Sequence, residues 1–268
     1  METRSPVARP PRERPHMLNP LIISLFFGLL AALANIFGGL IIFKTHWHKE
    51  YLKYFLALGS GFMLAAAFLE MVPESFTLQQ QELWGIPIPA LCILGGYLLV
   101  HLFEHGFAPH FHFGEEVHCQ EMLNPRVGFS ALIGLISHTF FDGVAIASGF
   151  IVSFQLGIIL FMAVILHKIP EGFTVSSIMM ASGKSKGFSL MAAVFLGVAT
   201  LAGVFTMGLV QKLVHLGLPL SAGVTIYVAA SDLMPEVNEE PGVKHSLYVF
   251  AGILLFVLTR TLLRTFEG

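Results

Sequence analysis

Two stretches decide how this chain is read: Ser137-His138-Thr139-Phe140-Phe141-Asp142-Gly143 and Leu166-His167-Lys168-Ile169-Pro170-Glu171-Gly172. Each places a histidine four residues before a carboxylate, and residues i and i+4 share one face of a helix. Each also lies inside a long apolar run. A charged side chain at the centre of a bilayer costs at least about 2.5–3.5 kcal/mol on insertion scales. Two carboxylates and Lys168 at that depth must therefore face one another, water or an ion. Together the two faces offer two imidazoles and two carboxylates, a donor set suited to zinc or a similar divalent cation. The alternative is a purely structural cluster, such as an Asp142–His–Lys168 network. The duplication on consecutive spans favours ligands over structure. Pro170 cannot donate a backbone hydrogen bond to Leu166, which frees a carbonyl and kinks the helix beside the candidate ligands. Such irregular backbone is tolerated at membrane depth where it lines a cavity. Gly143 and Gly172 directly follow the two acids and permit close helix approach.

Composition points to the bilayer as solvent. Of 268 residues, 55% are hydrophobic and 12% are charged, against about 25% charged in ordinary soluble domains. The mean hydropathy is +0.75. A soluble fold of this length would lack the charge to cover its core. The net charge of −2 gives no footprint for a nucleic-acid partner. Cys92 in an apolar run and Cys119 in a loop exclude a disulfide framework and a cysteine-type zinc ribbon.

A spanning helix needs about 20 apolar residues. Eight runs qualify: 20–43, 52–74, 87–106, 127–150, 154–182, 187–213, 218–236 and 245–264. The expected fold is an all-α integral membrane protein, an eight-helix bundle with its candidate metal site between the fourth and fifth helices. The expected domains are a disordered, basic, proline-rich tail over 1–18 and one transmembrane domain over 19–268, with a histidine-bearing loop at about 107–126. The first apolar run is too long for a signal-peptide core. The break near Ser153 contains no charge, so it is the weakest of the punctuations. Seven basic residues fall on each side of the bilayer when the tail is counted. Without the tail the odd loops lead, which makes them cytoplasmic and leaves both termini outside.

The two motifs resemble those of the ZIP family of zinc transporters. His138-Thr139-Phe140-Phe141-Asp142-Gly143 is similar to that family's fourth-helix pattern, His-Asn-x-x-acid-Gly. His167-Lys168-Ile169-Pro170-Glu171-Gly172 is similar to its fifth-helix pattern, His/Gln-x-x-Pro-Glu-Gly. The helix count, the histidines of the third loop and the Pro-Glu ends of the second and seventh helices match as well. The resemblance implies transport of a divalent cation, zinc foremost, with His138, Asp142, His167 and Glu171 as ligands, and both termini outside. Many bacterial members resemble a two-metal arrangement that uses an Asn, an Asp and a Glu at positions where this chain has Thr139, Lys168 and, by a looser alignment, Thr200. A protonated amine cannot ligate a metal and repels a second cation. One metal site is therefore expected, with Lys168 in place of the second ion.

Further candidates are peripheral. Gly61 to Glu74 and Gly223 to Glu236 share a pattern of Gly, Ala, an acid and Pro-Glu, as internal repeats of transporters do. Its plainer reading is two helix ends that leave the membrane through Pro-Glu. Glu70, Asp232 and Glu236 are expected at the mouths of the pathway. His110, His112 and His118 offer a weak metal-collecting patch, with His46 and His48 on the same side. The expected partners are the divalent ion and the lipid bilayer, with a homodimer as the assembly considered, in the plasma (cell inner) membrane. Neutral histidine and ionised carboxylate are the ligating forms, so uptake should weaken as pH falls. The rival function is a membrane-embedded metal hydrolase with an open metal position that activates water, although no His-Glu-x-x-His motif is present.

Overall fold

The structure, a computed structural model, describes residues 19–43, 49–107, 125–239 and 243–265. The described chain is helical apart from a short hairpin, and it folds back and forth as eight rods. The first rod is α1 (Pro20–Ile41). The second is α2 (Lys49–Ala66), a π-helical turn over Ala67–Met71, and α3 (Val72–Leu78). A two-stranded hairpin, β1 (Glu82–Leu83) and β2 (Ile86–Pro87), leads into the third rod, α4 (Ile88–Phe107). The fourth, fifth and sixth are α5 (Pro125–Val152), α6 (Phe154–Ala181) and α7 (Lys186–Leu209). The seventh is α8 (Val214–Tyr227), a π turn over Val228–Leu233, and α9 (Met234–Glu239), and the eighth is α10 (Lys244–Thr265).

Among the described residues, seven helical stretches are long and apolar enough to cross a membrane, and the apolar part of α4 over Ile88–Glu104 supplies the eighth rod. The chain is therefore an all-α integral membrane protein. Its outer surface shows what surrounds it. On α1, Ile22, Phe26, Leu33 and Phe37 are exposed, and on α10 so are Leu247, Phe250, Leu254 and Leu258. These are stripes at helical spacing that would be left facing water in a soluble protein.

Local sequence explains where the rods begin and turn. Asn19 caps α1 by accepting from the Leu21 N–H at 3.0 Å, with Pro20 in the first helical position where its missing donor costs nothing. The chargeless break between the fourth and fifth rods is a serine cap: Ser153 is extended, and its hydroxyl accepts from the Leu156 N–H at 3.1 Å. The hairpin turn puts Trp84 at φ 56° and Gly85 at φ 75°, the pair of positive φ angles that a two-residue type I′ loop requires.

The expected internal repeat has a structural counterpart. Each π turn stops two residues before a proline, Pro73 in one case and Pro235 in the other, and contains the acid of the repeat, Glu70 or Asp232. A proline has no N–H for the carbonyl four residues back and its ring crowds that carbonyl. Widening the preceding turn relieves both. The rods also pack alike. Gly61 abuts the Val249 carbonyl of α10 while Gly252 abuts the Leu58 carbonyl of α2; Gly223 abuts the Ile93 carbonyl of α4 while Gly96 abuts the Leu220 carbonyl of α8. Glycine pairs let backbones touch, the general solution where lipid supplies no hydrophobic drive.

The same device locks the helices that bear the two motifs. Gly143 of α5 lies on the Thr200 carbonyl of α7 and Gly203 of α7 on the Phe140 carbonyl of α5, while Gly172 of α6 lies on the Asn35 carbonyl of α1 and Gly38 of α1 on the Ile169 carbonyl of α6. A side chain at Gly38 would overlap that carbonyl, which is backbone and has nowhere to go. Gly38→Val should therefore cost about 1–3 kcal/mol or more and lower the thermal unfolding midpoint in detergent. Gly95→Ala, whose new methyl would meet only Leu220 at 4.0 Å, should leave the midpoint unchanged or slightly raised.

Candidate metal centre

The duplicated His-x-x-x-acid faces meet inside the bundle. His138 and Asp142 project from α5, and His167 and Glu171 from α6; one donor atom from each lies within 4.8 Å of all the others. The four side chains are between 0% and 3% exposed. α6 runs as one helix through Pro170, so the expected distortion does not break it.

Lys168, itself 0% exposed, ties the acids together. Its ammonium lies 2.6 Å from Asp142 Oδ2 and also bonds Glu171 Oε2, and Thr139 Oγ1 is 3.4 Å away. The Thr139 hydroxyl donates to Glu171 Oε1. The two oxygens of Glu171 thus face different ways. Oε2 meets the ammonium, while Oε1 meets Thr139 and lies 3.2 Å from His138 Nε2.

The histidines carry the chemical clue. His167 Nδ1 is 3.0 Å from the Ala163 carbonyl, which can only accept, so Nδ1 bears the proton. In the neutral ring Nε2 is then a lone pair, and it points at Asp142 Oδ2 at 3.3 Å. With the ring neutral, two electron-rich atoms converge there. A backbone carbonyl on the far nitrogen is also how metal-binding histidines are usually oriented. His138 has no aligned hydrogen-bond partner on either nitrogen; its closeness to Glu171 is proximity without hydrogen-bond geometry. An unpaired buried polar side chain costs about 1–3 kcal/mol, and a cation between these donors would remove that cost. Two nitrogens and two carboxylate oxygens suit a tetrahedral zinc or a related divalent ion.

The other sequence candidates lie apart. Glu70, in the first π turn, bonds the Arg260 guanidinium. Arg260 lies within α10, five residues before its end. An arginine five residues inside an apolar span, with an acid at matching depth in another span, was the signal for that pair. Asp232, in the second π turn, is 7% exposed with Oδ2 unbonded, and it feels the charge of Glu104 on α4. Glu236 lies in α9, but its side chain is outside the described residues. His46, His48, His110, His112, His118 and Cys119 are also outside them. Asn35 of α1 was not singled out in the sequence. It is fully buried and neither end of its amide is hydrogen-bonded, beside the glycine that follows Glu171; an asparagine in an otherwise apolar span was the available sign.

Comparison with known proteins gives a consistent picture. Residues 110–260 match the family model described as ZIP Zinc transporter. An uncharacterised protein of Methanocaldococcus jannaschii is 25% identical over 245 residues, covering 89% of this chain and 97% of that protein. Zinc transporter ZIP13 of Pongo abelii is 25% identical over 275 residues, covering 90% of this chain and 79% of the relative. The human zinc transporter SLC39A7 is 31% identical over 151 residues, 52% of this chain and 32% of its own length.

Removing the ammonium while leaving both acids should be costly whatever the cluster binds. Lys168→Met should destabilise the metal-free protein by about 3–5 kcal/mol, the usual effect of stripping one partner from a buried ionic group. Adding Asp142→Asn and Glu171→Gln should recover part of that loss in the same detergent melt.

Proposed function

The chain belongs to the ZIP zinc transporter family, and from that premise we propose that it moves a divalent cation, zinc first, across the bilayer through one site formed by His138, Asp142, His167 and Glu171. The observation that supports this reading is the convergence of four buried donor atoms within 4.8 Å on two spanning helices. No other group of three or more histidine, cysteine or acidic residues meets that closely among the described residues.

Lys168 serves as the tethered counterpart of a second ion. Glu171 can offer Oε1 to the transported cation while Oε2 stays on the ammonium, so one carboxylate spans two positive centres. Asp142 Oδ2 is shared between Lys168 and His167, so the ion must draw it away from the ammonium as it binds. Since the four side chains are sealed in this conformation, passage requires the site to open to one face and then the other. That is alternating access, with residues 19–268 acting as one transport domain. Glu70, Asp232 and Glu236 serve the route on either side, and His110, His112 and His118 collect the ion at the third loop. The protein acts as a carrier rather than an enzyme, in the cell's boundary membrane.

Zinc flux into proteoliposomes, followed with a trapped zinc-responsive dye, tests the reading. Wild type should load the vesicles. His138→Ala, Asp142→Ala, His167→Ala and Glu171→Ala should each cut the rate by at least about 10–100-fold, since even supporting residues of metal sites are worth that much. Equal flux in all four variants would remove the site. Equilibrium titration of the purified protein should saturate at one zinc per chain in the intact site. A stoichiometry of two there would defeat the role given to Lys168.

A further inference from the structure

A cavity of about 310 Å³ opens where the first π turn runs into α3, α5 ends, α6 begins and α10 nears its end. Its charged wall consists of Glu70 and Glu74 from the second rod and Arg260 and Arg264 from the eighth, and its floor includes Leu156 and Ile159 of α6. Ile159 is 3% exposed and Leu160, next to it, 1%. His167 lies eight residues further along the same helix, about 12 Å at 1.5 Å per residue. The polar mouth of this cavity thus lies roughly two turns of α6 from the four-residue site, with the buried Ile159 and Leu160 between them.

The charges in this mouth cancel, two acids against two guanidiniums, and the arrangement is specific. Arg260 bonds Glu70, with the pair only 33% and 19% exposed. For a route that admits cations this is unexpected. An acid on its wall would concentrate divalent ions, and here it already holds a positive group.

We propose that Arg260 sets the apparent affinity of the transport pathway: by neutralising Glu70 it holds down the mouth's attraction for divalent cations and so sets the metal concentration at which transport half-saturates. The inference rests on the transport reading above and extends it to a residue outside the four-residue site. Arg260 need not touch the ion. Its charge acts through the field in the cavity, which is long-ranged at low salt and short-ranged at high salt, with a Debye length of about 10 Å at 0.1 M and about 3 Å at 1 M.

The test is the zinc concentration dependence of flux into proteoliposomes at low and high ionic strength. Arg260→Gln leaves Glu70 unneutralised and the mouth net negative. It should lower KM about threefold to tenfold at low salt with kcat nearly unchanged, and the difference should shrink towards nothing in 1 M salt. Arg260→Lys keeps the charge and should retain the wild-type KM. Glu70→Gln makes the mouth net positive and should raise KM, so it tests the proposal with the opposite sign even if Arg260→Gln fails to assemble. A merely structural clasp between the second and eighth rods would instead change kcat or thermal stability and leave KM alone in both charge-altering variants. That result overturns the proposal while transport stands. A wild type that passes no zinc overturns the transport reading, and this inference with it.

Discussion

The contact on which the rest depends is that of the Lys168 ammonium with Asp142 and Glu171. Two carboxylates at this depth cannot remain ionised without a positive partner, because a lone charge in a low-dielectric interior costs far more than folding can offset. With Lys168 between them, both helices can bring a histidine and an acid to one point while the site is empty of metal. Thr139 completes the arrangement by bonding Glu171 Oε1, which fixes the side of the carboxylate that faces His138. The lysine therefore determines both that the cluster is tolerated and which of its oxygens are presented.

That geometry is only as good as the helices that hold it, and here the constraint passes from charge to backbone contact. The two reciprocal glycine–carbonyl pairs, α5 on α7 and α6 on α1, lie within two residues of the acids. The close approach is set where the candidate ligands leave the backbone, not at the helix ends. A few tenths of an ångström lost there would move both carboxylates relative to both imidazoles.

Much of this is legible in the sequence, for identifiable reasons. Helix count follows from apolar length, and the four-residue cluster from the period of the helix, since the four-residue spacing puts His138 with Asp142 and His167 with Glu171 on one face each. Local features with no side-chain period were harder. Ser153 breaks the fourth and fifth rods by capping rather than by charge, which is why the boundary reads weakly. The π turns follow from prolines acting on the turn before them, and a hydropathy scan is blind to that. The Arg260–Glu70 pair was harder to foresee because its two partners come from rods 190 residues apart in sequence. Which acid a cation will find is a property of the packed bundle. The histidines at 110, 112 and 118 fall outside the described residues, so the part proposed for them rests on composition.

Set side by side, Lys168 and Arg260 follow one rule: each tethers a cation to a carboxylate at a place where a carrier of cations would be expected to keep that carboxylate free. The rule makes sense for passage as opposed to storage. Unpaired acids in a dry interior would bind a dication so strongly that it could not leave, and conduction needs binding favourable enough to enter yet weak enough to exit. A side-chain ammonium or guanidinium that competes for the same oxygens lowers the affinity without removing the donors, and it takes the acid back when the ion departs. In the proposed transport cycle the ion-free protein never has to move a bare pair of carboxylates through the membrane, so the contact that stabilises the resting cluster also eases the return step.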